Sequence, residues 1–361
     1  MRLSLADLSE LRALVAARVD AIIDVRAPHE YAEDHLPGAI NLPVLSDAER
    51  AQVGTVYVQQ SRFEARRLGA ALVARNAARH LEGPLAECPP RWRPLVYCWR
   101  GGQRSGAFAT ILQQVGWPVR VLDGGYRGYR RLVVRAMYEA PFPAPVVVLD
   151  GDTGSAKTAV IARLAVHGVQ ALDLEAMARH RGSLFGAEAG PQPAQKGFES
   201  ALAAGMGALD PARPVVVEAE SNRIGEVLLP PALWQAMQAA PRVVIDAPRP
   251  ARAAYLARDY AHLGADPDAL ATRIAALSPW HARAQIDAWQ GLARAGALPE
   301  LANALLEHHY DPRYRRSRAQ RPAPLAVLET PALDASALDA LAKRLAGLLG
   351  ASKIDAPHPR R

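Results

Sequence analysis

Seven residues, Cys98-Trp99-Arg100-Gly101-Gly102-Gln103-Arg104, bring a thiol, two glycines and two arginines into one short stretch. They follow an apolar run, Pro94-Leu95-Val96-Tyr97, that reads as a buried strand, and precede Ser105 to Leu112, which reads as the start of a helix. A cysteine at a strand end, followed by a glycine turn into a helix N-terminus, is an anion cradle. The N–H groups of the turn and the helix dipole both favour negative charge. Such surroundings lower a thiol pKa, and the thiolate is the reactive form. An inert core cysteine would need neither the glycines nor the cations. Cys98 is therefore the candidate catalytic nucleophile, with Arg100, Gly101, Gly102 and Arg104 the candidate anion-binding residues. The Cys-x5-Arg spacing leaves room for a tetrahedral group around the thiolate rather than a single sulfur atom.

A second stretch, Gly151-Asp152-Thr153-Gly154-Ser155-Ala156-Lys157-Thr158, follows the continuous apolar run Val146 to Leu149 and opens a helical pattern, the context a P-loop requires. Gly151, Thr153, Gly154 and Ser155 would cradle a diphosphate with their backbone. Lys157 would reach its charge, and Thr158 would hold Mg²⁺ or a phosphate oxygen. Ala156 stands where the motif has its last glycine. A methyl there restricts φ and crowds the phosphate path, which argues against ordinary nucleotide hydrolysis. Lysine is scarce, at four of 43 basic residues, which makes Lys157 harder to dismiss as a surface accident.

Three weaker constellations follow. Val215-Val216-Val217-Glu218-Ala219-Glu220 is a strand ending in carboxylates, able to hold Mg²⁺ or supply a base, and equally readable as solvated acids; which of Glu218 and Glu220 matters stays open. His180, Arg181 and Lys196 lie in segments that mix cations, glycine and an aromatic, as a lid over an anionic substrate would. Arg313, Tyr314, Arg315 and Arg316, continuing to Arg318 and Arg321, combine phosphate-neutralising and base-stacking side chains, a candidate RNA-binding segment with a solvated basic run as its competitor.

The elements that must position these groups fall into two α/β units with parallel sheets. A length of 361 residues suits two domains. The proline-dense stretch 140–145 reads as the junction, giving domains 1–140 and 141–350, with a helical part at about 249–310, a basic C-terminal part, and a polar tail, 351–361, expected to be disordered. Strands are expected at 19–25, 95–98, 119–122, 146–149, 169–172, 214–217, 243–245 and 325–328. Two cysteines are too few for a disulfide framework or a cysteine zinc site. No apolar run of membrane-spanning length occurs, and acids come too early for a signal peptide, so a cytoplasmic location and no membrane partner are expected. A net charge of +7 is compatible with nucleic acid but does not require it.

Ile23-Asp24-Val25-Arg26 and the stretch His35 to Pro43, with the Cys98 loop, resemble the motifs of the rhodanese superfamily. Fused to a P-loop domain, this resembles the tRNA 2-selenouridine synthase family. The likeness extends to Phe63 to Gly69, Leu174-Glu175, His180-Arg181-Gly182-Ser183, Gln195-Lys196-Gly197-Phe198-Glu199, Val217 to Ser221, Arg223-Ile224-Gly225 and His309 to Tyr314, with Ala156 as the departure. The resemblance implies an enzyme that converts 2-thiouridine at the tRNA wobble position to 2-selenouridine. Its co-substrates would be selenophosphate and geranyl diphosphate, with an S-geranyl intermediate and no tightly bound cofactor. It also implies that Cys98 handles selenium, that Arg100 and Arg104 bind selenophosphate, and that the anticodon loop is the RNA partner. Three competitors are a Cys-dependent phosphatase, a sulfurtransferase coupled to a P-loop NTPase or kinase, and a non-catalytic RNA-binding protein with an inert rhodanese module.

Overall fold

The computed structural model describes residues 2–10, 13, 19–183, 185–186, 190–313 and 322–351. The chain divides into two compact units. The first comprises Met1–Pro141 with Pro193–Ala208 and Pro230–Ala232, and the second holds the rest. The boundary at 141/142 falls in the proline-dense stretch. The segment Pro193–Ala208, which the sequence reading assigns to the second domain, packs in the first.

In the first unit β1 (Arg2–Leu3), β2 (Ala21–Asp24), β3 (Ala39–Asn41), β4 (Pro94–Tyr97) and β5 (Arg120–Leu122) form a parallel sheet in the order β1-β5-β4-β2-β3. A parallel sheet is covered on both faces, so its central strand reads as an unbroken apolar run, and all four residues of β4 are buried. The core joins Ile23, Val25 and Val96 with Leu72 and Val73 from the helix Arg62–Glu82 and Phe108 and Leu112 from the helix Gln103–Gln114. The short strands β1 and β3 and the helix Asp47–Gln59 carry too little pattern to be read in advance.

The second unit repeats the plan. β6 (Val146–Gly151), β7 (Gln170–Leu172), β8 (Val215–Glu218), β11 (Arg242–Asp246) and β12 (Ala326–Glu329) form a parallel sheet in the order β12-β11-β6-β8-β7. An antiparallel pair, β9 (Arg223–Ile224) and β10 (Val227–Leu228), turns through Gly225 at φ +58°. The helices Lys157–Leu164 and Ala335–Ala351 pack on this sheet through Val160, Leu164, Leu341 and Leu345. The expected helical region resolves into Arg249–Asp259, Pro267–Ala275, Arg283–Arg294 and Leu298–Leu305. The last three share their own core with Ile274, Trp289 and Leu301 at its centre. No helix among the described residues is long and apolar enough to cross a membrane.

Candidate active site: two anion cradles

The first cradle sits where β4 ends. Cys98 is buried, and the turn Trp99–Gly102 leads to the helix Gln103–Gln114, with Gly102 at its N-cap. The turn is pinned from behind by the start of the helix Gly125–Val134. Tyr126 N–H donates to Cys98 O (2.9 Å) and Arg127 N–H to Trp99 O (2.9 Å). Backbone meets backbone here. Gly101 has φ +66° and a Cβ on it would lie 2.4 Å from Leu122 O; one on Gly125 (φ +54°) would lie 2.2 Å from Cys98 O. Only glycine satisfies both the conformation and the approach. The Ser105 hydroxyl donates to Cys98 Sγ (3.2 Å). Burial pushes the thiol pKa up. The Ser105 hydroxyl and N–H, the Arg100 N–H and the Arg104 charge outweigh it, so the net shift is downward. Cys88 has no such partners, and burial raises its pKa.

Arg104 is ion-paired to Glu30 (2.8 Å), with both side chains mostly covered. Glu30 also accepts the Ala27 N–H (3.1 Å). Burial alone would raise the Glu30 pKa, but Arg104 brings it below the ordinary value. Arg104 thus already holds a carboxylate, whereas Arg100 is exposed. Beneath the turn, Asp24 and Arg26 form a fully buried pair (2.6 Å). Arg26 also donates to Asp34 O (2.6 Å) and stacks on the Tyr126 ring at 3.9 Å. That pair braces the strand ends under the cradle.

The second cradle follows β6. Ser155 N–H closes the turn on Asp152 O (3.0 Å), and the helix Lys157–Leu164 begins immediately after. Gly154 (φ +79°) packs against Leu256, 2.8 Å from where a Cβ would be, and Gly151 leaves room for the Ser155 hydroxyl. Ala156 adopts the left-handed conformation that glycine would have taken, φ +60°, ψ 31°. The loop keeps its path at a cost of about 1–2 kcal/mol. Lys157 Nζ donates to Gly151 O (3.1 Å), and Arg252 bridges Thr153 O (3.0 Å) to a buried pair with Asp311 (2.9 Å). Among the described residues, Ser155 Oγ is buried with no hydrogen-bond partner.

Carboxyls gather beside this loop. Thr158 Oγ1 donates to Glu175 Oε2 (2.6 Å), and Glu175 N–H donates to Glu218 Oε1 (2.9 Å). Glu218 is fully buried; burial, with Asp173 and Glu175 nearby, raises its pKa well above the carboxylate range. Burial first and Glu175 second push Glu220 up to about 8, against the opposing Lys157 charge. For Mg²⁺ the fit is poor. The expected hydroxyl is engaged by Glu175, and no group of three or more ligating side chains is assembled among the described residues.

A cavity of about 510 Å³ joins these parts. One side is the loop Thr153–Thr158 with Glu175, Arg181 and Glu220. The other is apolar, built by Leu263, Leu270, Leu298, Leu301 and Leu305 of the helical segment. Of the three expected lid residues only Arg181 lines it, tied to Asp259 (2.6 Å) and lying over the Tyr260 ring at 5.1 Å. His180 turns inward locally, its Nδ1 accepting the Gly182 N–H (3.1 Å). Lys196 belongs to the first unit, paired with Glu33 (2.6 Å). Its segment is there for packing. Phe198 is buried, Ser200 donates to Asp34 (3.0 Å), and the buried Glu199 takes Arg130, Tyr138 and Gln195. The lid grouping of His180, Arg181 and Lys196 is therefore not a unit.

Of the basic segment, Arg313 is described. It lies over the Trp280 ring at 4.9 Å and donates to His309 Nε2 (3.0 Å). Tyr314, Arg315, Arg316, Arg318, Arg321 and the tail 352–361 lie outside the described residues. Sequence reasoning gave no site role to Glu30, Ser105 and Tyr126 in the first cradle or to Glu175 and Arg252 in the second. Ser105 and Glu175 had a usable signal: one stands in the first turn of the helix after the cysteine, the other just past the end of β7.

Comparison with known proteins agrees with this two-part construction. Residues 7–132 match the rhodanese-like domain family model, and residues 144–282 match the model described as the tRNA 2-selenouridine synthase AAA domain. Three proteins named tRNA 2-selenouridine synthase illustrate the likeness. That of Nitrosomonas europaea is 37% identical, covering 66% of this chain and 63% of its own length. That of Aeromonas salmonicida is 39% identical, covering 67% and 65%. That of Bordetella bronchiseptica is 40% identical, covering 71% and 69%. The chain thus spans a little under two thirds of the length of the first two. An α/β rhodanese-like domain followed by a P-loop domain, with this degree of identity, makes the chain a member of the tRNA 2-selenouridine synthase family.

Proposed function

We propose that this protein converts 2-thiouridine at the tRNA wobble position to 2-selenouridine, in two steps divided between the two cradles. In the first, geranyl diphosphate binds in the cavity of the second unit and alkylates the thiouridine sulfur. In the second, selenium from selenophosphate replaces the geranylated sulfur, which leaves as the geranyl thiol while the phosphoryl group passes to water as phosphate, with Cys98 as the selenium-handling nucleophile. Thiouridine sulfur is a poor leaving group until alkylated, which gives the first step its purpose.

The observation that carries the reading is the joining of a phosphate cradle to an aliphatic wall in one cavity. The turn amides and Lys157 suit a diphosphate, and Leu263, Leu270, Leu298, Leu301 and Leu305 suit an isoprenoid chain. Each methylene buried there contributes about 0.8 kcal/mol. At the first cradle, the turn amides, Arg100 and Arg104 suit a tetrahedral anion, and the lowered thiol pKa enlarges the thiolate fraction.

Calorimetric titration with geranyl diphosphate and with ATP tests the assignment of the cavity. The expected result is tighter binding of geranyl diphosphate and no tRNA-independent ATP turnover. Robust ATP hydrolysis without geranyl diphosphate binding would favour the sulfurtransferase coupled to an NTPase.

A further inference from the structure

The cavity holding the P-loop is not alone in reaching the end of β8. A second cavity of about 970 Å³ lies in the same unit, lined by Asn222, Trp234, Arg242 and Arg313 among others. Gly182 and Glu220 are the residues that line both cavities. The contact between them is tight. Gly182 has φ +66°, and a Cβ on it would fall 2.7 Å from Glu220 Oε2. The carboxyl is thus held against a backbone that only glycine leaves open. The two cavities differ in kind. The first offers amides, a lysine and an aliphatic wall. The second offers an indole face for stacking, a side-chain amide for base edges, and two arginines, Arg313 and Arg242; Arg242 lies 3.5 Å from Asp150.

We propose that the second cavity receives the acceptor nucleoside, and that Glu220, at the junction, is the catalytic base that takes its N3 proton as the sulfur is alkylated. This deepens, and rests on, the reading of the first cavity as a prenyl diphosphate site. The electron balance is complete without a further reagent. The thiouridine sulfur donates a pair to C1 of the prenyl chain, and the C1–O bond breaks with its pair leaving on the diphosphate. The N3–H pair becomes the ring C=N bond, and the proton passes to the Glu220 carboxylate. The S-alkylated base leaves neutral.

The groups facing Glu220 set when it can do this. Glu175, on the helix Leu174–Ala178, hydrogen-bonds it and raises its pKa, as burial does. Lys157, at the head of the next helix, lowers it, as does the Ser221 N–H. The 180–182 segment meets it with the Gly182 backbone, and Arg242 and Arg313 stand along the second cavity. The balance near 8 leaves a minority of the base ionised at neutral pH, so the rate rises with pH until Glu220 is fully ionised.

Single-turnover S-geranylation of a 2-thiouridine anticodon stem-loop RNA, followed across pH, tests this with the full chain. Wild type should show a rate rising through an inflection near 8. Glu220→Gln should be slower by about 10²-fold or more and lose the inflection, while binding geranyl diphosphate within about threefold of wild type. Ala239→Trp, which fills the second cavity from an exposed position, should weaken RNA binding about tenfold or more and leave geranyl diphosphate binding unchanged. A Glu220→Gln rate equal to wild type with the same inflection overturns the assignment of Glu220. Unchanged RNA affinity in Ala239→Trp overturns the assignment of the second cavity. Wild type that does not bind geranyl diphosphate at all overturns the reading of the first cavity beneath both.

Discussion

The two units solve one problem twice and end with different chemistry. Each runs a buried parallel strand into a glycine turn and then into a helix, so that backbone amides converge on one point. In the first, a second backbone segment, Gly124-Gly125, is pressed onto the turn, and a thiol occupies the point of convergence. In the second, the turn is backed by side chains, Leu256 and Arg252, and the convergence point is ringed by Lys157 and carboxyls. Backbone against backbone tolerates no added atom. The second turn keeps its path with Ala156 in a glycine conformation, buried in the core of its unit. What the two share is a glycine turn into a helix N-terminus. What separates them is that one presents a thiol and the other a cluster of carboxyls beside an aliphatic wall.

The largest effect expected from breaking this division is at Cys98. Cys98→Ser should abolish selenium incorporation and leave geranylation within about threefold of wild type, since oxygen lacks the thiolate's nucleophilicity. Assays of the two steps on separate substrates check it. Next, Gly125→Ala should destabilise the first unit by about 2–4 kcal/mol, from left-handed strain plus displacement of the Cys98 carbonyl. Gly106→Ala, inside the helix Gln103–Gln114 with open space around it, should cost less than about 1 kcal/mol. Denaturant melts of the two variants make the contrast, and equal losses would contradict the account of the pinned turn. Lys157→Ala should weaken geranyl diphosphate binding by about ten- to a hundredfold, the worth of one charge-assisted contact of ~1.5–3 kcal/mol. Isothermal titration reads it directly. The smallest effect is at Ala156. Ala156→Gly should change stability by no more than about 1 kcal/mol, relief of left-handed strain being offset by a more flexible unfolded chain. It should also create no strong ATPase activity, because the aliphatic wall is unaltered.

The thiol should titrate in keeping with the same contrast. The net interactions at Cys98 lower its pKa, whereas burial raises that of Cys88. The thiolate fraction grows with pH, so alkylation by iodoacetamide should reach Cys98 at a lower pH than Cys88. Peptide mass spectrometry across a pH series separates the two.

Both cradles were legible because strand, glycine turn and helix N-terminus are consecutive in the chain. Cys98, Arg100, Lys157 and the αL demand at Ala156 could be read in order. What was hidden lies across the fold. Glu30 is 74 residues from the Arg104 that it holds. Glu175 becomes part of the second site only when β7 and β8 pair and bring it to Glu218. The aliphatic wall reads as an ordinary amphipathic helical region until its leucines are seen facing the P-loop. Lys196 shows the opposite error. A lysine beside glycine and an aromatic looked like a lid, but its helix is anchored by Phe198, Glu199 and Ser200 within the first unit.

The division of labour is tested most directly by mass spectrometry of nucleosides from 2-thiouridine tRNA treated with wild type, Cys98→Ser and Lys157→Ala in the presence of geranyl diphosphate and selenophosphate. Wild type should yield 2-selenouridine. Cys98→Ser should accumulate S-geranyl-2-thiouridine and no 2-selenouridine, and Lys157→Ala should leave most 2-thiouridine unreacted. Loss of both products in a folded Cys98→Ser protein, or wild-type geranylation by Lys157→Ala, would contradict the assignment of one step to each cradle.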